Sequence, residues 1–367
     1  MQSVYNFSAG PTSLPAEVLK RAEAEIHSYN GTGLSVMELN HHSPEFKELV
    51  RAAETALRKL MNIPSTYRVL FLQGGASTQF SAIPLNLLSD HKCADYIVTG
   101  RHSNIAFKEA KKYGDIAVAA SSAGANPPFS VIPFTERSDF RPDADYVHVC
   151  FNNTVYGTKY NYIPDTGNIP LVADMSSCIL SEPIDVTRFG LIYAGAQHNI
   201  SIAGLTVVII REDLIGNART DIPLMLDYKL HADNDSIYNT PPVHAIYMAK
   251  LTFEWLLEVG GLEEMKRRNE RKASLIYDYI DAHTYFTSKV SKECRSLTNI
   301  VFTTDNMSLD KRFIAEAREA GLINLEGDPA IGGIRASIYN SMPYDGVAKL
   351  VAFMKRFSVQ NPKLLEF

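Results

Sequence analysis

Hydrophobic positions along this chain fall into two patterns. Short apolar runs rich in β-branched residues at 68–73, 94–100, 116–121, 146–151, 170–174, 191–193 and 205–210 read as buried strands. Longer stretches with apolar residues three and four apart read as helices at 16–29, 44–61, 78–88, 243–257 and 262–282. Pro44 opens the second of these, Asn30-Gly31-Thr32-Gly33 ends the first, and Gly260-Gly261 separates the last two. Residues 226–238 are polar and read as irregular. Beyond them strand and helix alternate again (300–303, 310–320, 335–339, 346–357), which suits a smaller α/β domain packed on a larger one. The expected boundary gives domains of 1–259 and 260–367.

Three polar stretches interrupt the apolar pattern where an α/β enzyme keeps its chemistry. Gly74-Gly75-Ala76-Ser77 follows a strand and precedes a helix, so its small residues and the helix N-terminus make a cradle for a phosphate. Asp174 ends the buried run 170–174, where a carboxylate needs a partner. Gln197-His198-Asn199 lies between two apolar runs and is followed by Gly204.

Composition narrows the field. At 367 residues the chain is long enough for two domains, and 46% hydrophobic with 21% charged residues is ordinary for a globular protein. A net charge of −5 argues against nucleic acid as a partner. No apolar run is long enough to span a membrane, and the N-terminus lacks a signal-peptide pattern. Four scattered cysteines (Cys93, Cys150, Cys178, Cys294) fit free thiols in a reducing cytoplasm and no metal.

Several motifs together resemble the phosphoserine aminotransferase family, of the fold-type-I pyridoxal 5′-phosphate (PLP) enzymes, over essentially the whole chain. They are Phe7-Ser-Ala-Gly-Pro11, Leu72-Gln-Gly-Gly-Ala-Ser77, Asn152-Asn-Thr-Val-Tyr-Gly-Thr158, Ala173-Asp-Met-Ser-Ser177, Ala194-Gly-Ala-Gln197 and Asn234-Asp-Ser-Ile-Tyr-Asn-Thr-Pro-Pro242. The resemblance implies a large domain around a mostly parallel sheet, a smaller C-terminal α/β domain, and a homodimer with shared active sites. It also implies that Gly75, Ala76 and Ser77 hold the cofactor phosphate, Thr154 the phenolic oxygen region, and Asp174 the pyridine nitrogen. Gln197 would complete the pocket, and Asn239 and Thr240 would reach the partner subunit's phosphate.

The chain departs from that family at positions bearing the chemistry. Where the family has the lysine that forms the Schiff base, this chain has His198, followed by Ser201-Ile202 for Gly-Pro. His102 replaces the ring-stacking tryptophan, and His41-His42 stand where the family has His-Arg. Asp328-Pro329 replace the His-Arg pair that grips the substrate phosphate, while Arg335 keeps the carboxylate-binding arginine. The expected reading is an enzyme holding PLP or pyridoxamine 5′-phosphate (PMP) non-covalently. His198, titrating near neutral pH, acts on an amino or keto acid that is not phosphoserine, with His41, His42 and Arg335 binding it. Conventional phosphoserine:2-oxoglutarate transamination is one alternative, and a non-catalytic cofactor-binding protein the other.

Overall fold

The computed structural model describes residues 4–88 and 91–363. Its centre is a seven-stranded sheet. The strands are β1 (Tyr67–Gln73), β2 (Cys93–Val98), β3 (Asp115–Ser121), β4 (Tyr146–Cys150), β5 (Leu171–Asp174), β6 (Leu191–Gly195) and β7 (Leu205–Arg211). They lie in the order β1-β7-β6-β5-β4-β2-β3. Only β7 runs against its neighbours, so the carboxyl ends of the other strands open on one side.

Alternation along each strand feeds a core on each face of the sheet. In β7, Val207 and Ile209 join one apolar cluster while Val208 and Ile210 join the other. The first cluster takes in α2 (Pro44–Met61) and α6 (Val243–Glu258). The second packs α3 (Ala76–Leu87) and α4 (Arg101–Ala110). Helix α2 has both ends specified by sequence: Ser43 caps Phe46 N–H at 3.2 Å, and Asn62 closes it in a left-handed turn.

A third cluster joins α7 (Gly261–Ala282), α8 (Met307–Glu319), α9 (Tyr344–Gln360) and the antiparallel pair β8 (Asn299–Phe302) and β9 (Ile334–Ser337). Phe7 reaches into it, so the N-terminal segment lies across both parts of the molecule.

Three local readings change. The first helix is shorter than periodicity suggests, running Ala16–Glu25 before a separate 3₁₀ turn at Tyr29–Gly31. Asn30 there adopts φ 47°, which ends a helix. Residues Tyr228–Asp233, expected to be irregular, form a short helix capped by Asp227. Arg101–Ala110, where no helix was expected, is helical and capped by Ser103, whose Oγ accepts from the N–H groups of Thr99 and Gly100, both at 3.0 Å. Among the described residues no helix is long and apolar enough to cross a membrane.

Candidate active site

At the carboxyl ends of the parallel strands lies a cavity of about 340 Å³. Gly75, Ala76 and Ser77 after β1, His102 in α4, Thr154 after β4, Asp174, Gln197 and His198 after β6, and Arg335 in β9 all line it. The sequence nominated each of them. Ser176, Asn152, Ala9 and Gly10 line it too, without having been nominated. A serine two residues beyond a buried aspartate is an Asx-turn signal that would have marked Ser176, but it was not used.

Close backbone approaches build the walls. Gly74 turns the chain at φ +103°, and a Cβ there would meet Thr78 Oγ1 at 2.7 Å. Helix α3 then starts with no side-chain cap, leaving its first N–H groups for an anion in the cavity. At Gly100 a Cβ would sit 2.5 Å from Asn153 Oδ1, so only glycine lets α4 start close enough to place His102 at the rim.

Asp174 is 5% exposed, and its Oδ1 accepts from Ser176 N–H at 2.9 Å and Ser176 Oγ–H at 2.6 Å. Burial raises its pKa; Ser176, His102 and Tyr193 oppose that rise. It forms no ion pair with lysine or arginine among the described residues. A buried carboxylate of this kind fits a cationic ring nitrogen, as the uncapped α3 terminus fits a phosphate. The cavity therefore suits PLP or PMP. Arg335 is partly buried, and desolvation lowers its pKa. It has no ion-pair partner among the described residues, which suits a ligand carboxylate.

His198 differs from the expectation of an imidazole titrating near neutral pH. Burial lowers it to about 4, with His102 and Arg335 adding repulsion, so it is uncharged at pH 7. The Ala9 backbone partly offsets that shift, and Nδ1 is buried without a partner among the described residues. Thr12 fastens the same segment, its hydroxyl donating to the His198 carbonyl at 2.8 Å. Among the described residues no lysine lines the cavity.

Two nominated pairs lie elsewhere in the chain. The His41 and His42 rings are tilted at 41° with centroids 4.1 Å apart, and His42 lines a separate hollow with Lys47, Arg51 and Asp235. Neither histidine is among the residues lining the cavity that holds Arg335. Asn239 and Thr240 are exposed, with the Thr240 carbonyl accepting from Gln73.

The sheet, the pocket at its strand ends and the buried acid define a PLP-dependent enzyme of fold type I. The aminotransferase class-V family matches residues 4–350, and the chain belongs to that family and, within it, to the phosphoserine aminotransferases. It is 51% identical to phosphoserine aminotransferase of Bacillus cereus over 98% of this chain and 100% of the relative. With phosphoserine aminotransferase 1, chloroplastic, of Arabidopsis thaliana the identity is 48%, over 98% of this chain and 84% of that one. A solved phosphoserine aminotransferase from Bacillus circulans subsp. alkalophilus superposes with a TM-score of 0.94 at 43% identity, covering 97% and 99% of the two chains. These full-length likenesses favour conventional phosphoserine transamination over the altered chemistry expected from His198.

Proposed function

We propose that this chain transfers an amino group between an amino acid and a keto acid, in the manner of phosphoserine aminotransferase, using PLP and PMP held without a covalent link to residue 198. One observation carries the reading: the residues facing ring and phosphate persist in one cavity, in a chain about half identical to phosphoserine aminotransferases from end to end. When bound, PLP supplies an aldehyde that takes up the amino group and a ring that draws electrons from the substrate Cα.

The chain's own residues do the rest. The N–H groups at the start of α3 bind the phosphate. Asp174 keeps the ring nitrogen protonated, and His102 covers one face of the ring. Arg335 grips the substrate carboxylate with two parallel N–H bonds. His198, neutral at pH 7, accepts the Cα proton. A homodimer, with Asn239, Thr240, His41 and His42 brought in by a second copy, belongs to the same reading. So do the division at residues 259/260 and a cytoplasmic location.

A second reading of the substrate is favoured by Asp328, which lines the cavity, and by Pro329, which has no N–H to offer a phosphate. Here the substrate is a non-phosphorylated amino or keto acid. Mixing the PLP-loaded protein with O-phosphoserine and a panel of unphosphorylated amino acids, and following conversion of PLP to PMP by absorbance, separates the two. Fastest conversion by O-phosphoserine supports the first reading, and fastest conversion by another acid the second. Conversion by none leaves cofactor binding without transfer and contradicts both.

A further inference from the structure

Behind Asp174 lies a buried chain of polar groups that the site itself does not use. Tyr193 is paired with Asp174 across β6 and β5. Cys150 is the partner of Asp174 on β4, so His148, two residues earlier, points to the same face. His148 is 1% exposed and Tyr193 0%. His148 Nε2 lies 2.9 Å from the Tyr193 hydroxyl, and Tyr193, beside Asp174 in the register, is among the groups that oppose the rise of its carboxyl pKa. Tyr96 stacks on the imidazole at 4.6 Å and 18°, fixing its plane.

We propose that His148 and Tyr193 are positioning residues for the reaction, forming a one-way relay of hydrogen bonds that orients the Asp174 carboxylate toward the cofactor's ring nitrogen. The polarity follows from what each group can offer. An ionised carboxylate only accepts, so Tyr193 O–H donates to Asp174. The Tyr193 oxygen is then left to accept, and the proton it receives is on His148 Nε2. Nδ1 of His148 is thereby a bare lone pair, and it is an atom with no partner among the described residues. The opposite tautomer would bury an N–H with nothing to receive it. Burial lowers His148 to about 3 and raises Tyr193 well above its ordinary value, so neither group changes charge near neutral pH.

A tyrosine–histidine pair inside a sheet can also be core packing, so the test needs a readout that packing alone does not move. The inference rests on the proposed cofactor reading, and its first arm is free of cofactor. Nitrogen-15 NMR of the full-length apoprotein, with His148 assigned through His148→Gln, should show a protonated Nε2 and a bare Nδ1 at pH 7. A protonated Nδ1 or a charged ring overturns the relay. The second arm compares PLP with its carbon analogue lacking the ring nitrogen. Tyr193→Phe should weaken PLP about tenfold, the scale of one hydrogen bond to a charged group, and leave the analogue unchanged. His148→Gln, whose amide can donate to the same hydroxyl, should keep PLP affinity within about threefold. Equal losses for both ligands in Tyr193→Phe reduce the pair to packing and overturn the proposal. Failure of the unmodified protein to bind either ligand overturns the cofactor reading itself, whatever the tautomer.

Discussion

Arg101 Nη1 lies 3.0 Å from Asp328 Oδ2, tying the first residue of α4 to the 327–333 loop at the mouth of the cavity. Asp328 is mostly covered and Arg101 half exposed, and the same carboxylate accepts from Ala330 N–H at 3.0 Å. The pair thus keeps an anion beside Arg335 and occupies the nearby arginine. Any phosphorylated substrate must work against that arrangement.

Asp328→Asn should therefore raise affinity for O-phosphoserine, by about three- to tenfold at low salt and less at high salt, since it removes a charge and releases Arg101. Stability should change by under about 1 kcal/mol, as expected of a half-exposed ion pair. Competition binding checks both substrate readings, because the direction of the change does not depend on which acid is preferred. An unchanged or lower affinity would show that Asp328 does not face the substrate's distal group.

His198 makes a prediction about acid stability. Its folded pKa of about 4 lies below the ordinary 6.5, so the unfolded chain binds the proton more readily. Its contribution is complete above pH 6.5 and is lost as pH falls toward 4. The amount is on the order of 2–3 kcal/mol. His148, lowered to about 3, adds a loss in the same direction that extends further into acid. Urea midpoints taken from pH 7 to pH 4.5 should fall steeply for the unmodified chain and less so for His198→Asn. Parallel slopes would mean that His198 is already protonated or exposed in the folded state.

Much of the site was legible in the sequence because it is written in contiguous pieces. Gly75-Ala76-Ser77 sits where a strand meets a helix, and Asp174 ends an apolar run, so local pattern and chemistry agree. The helix at Pro44–Met61 was legible from its apolar spacing and the proline at its start; its serine and left-handed asparagine caps came from the structure. Groups that act through tertiary neighbours were not. Tyr193 and His148 read as strand interior, because nothing in a single strand reveals a hydrogen bond running across two others. The neutrality of His198 depends on the cover supplied by Ala9 and Gly10, nearly two hundred residues away in sequence. His41 and His42 were nominated from their place in a motif, and a motif carries no information about which side of α2 they occupy.

Lys272 holds the C-terminal part of the site in place. Its Nζ donates to the carbonyls of Ile338, Tyr339 and Met342 at 3.1, 2.7 and 3.1 Å, just beyond the strand that carries Arg335. Lys272→Met leaves three carbonyls without their donor, while burial already lowers the amine's pKa to about 7. It should cost about 2–4 kcal/mol in chemical denaturation, since a buried acceptor left unsatisfied costs about 1–3 kcal/mol. A loss below about 1 kcal/mol would show that water replaces the ammonium.

His198→Lys tests what residue 198 contributes. The lysine should form a covalent link with PLP, visible as a new absorbance band, and should slow loss of the cofactor on dialysis. It should not by itself bring phosphoserine transfer to the rate of the Bacillus relatives, since Asp328 and Pro329 remain. Full activity in that single variant would mean that the 327–333 loop does not set substrate choice.

This pocket is expected to hold PLP without a covalent bond to the chain. Borohydride reduction of the PLP-loaded protein, followed by peptide mass spectrometry, addresses it directly. The expected result is stoichiometric, saturable PLP binding by absorbance and no pyridoxyl group on the peptide containing His198 or on any lysine peptide. A pyridoxyl-lysine recovered in proportion to bound PLP, or no binding at all, would contradict it.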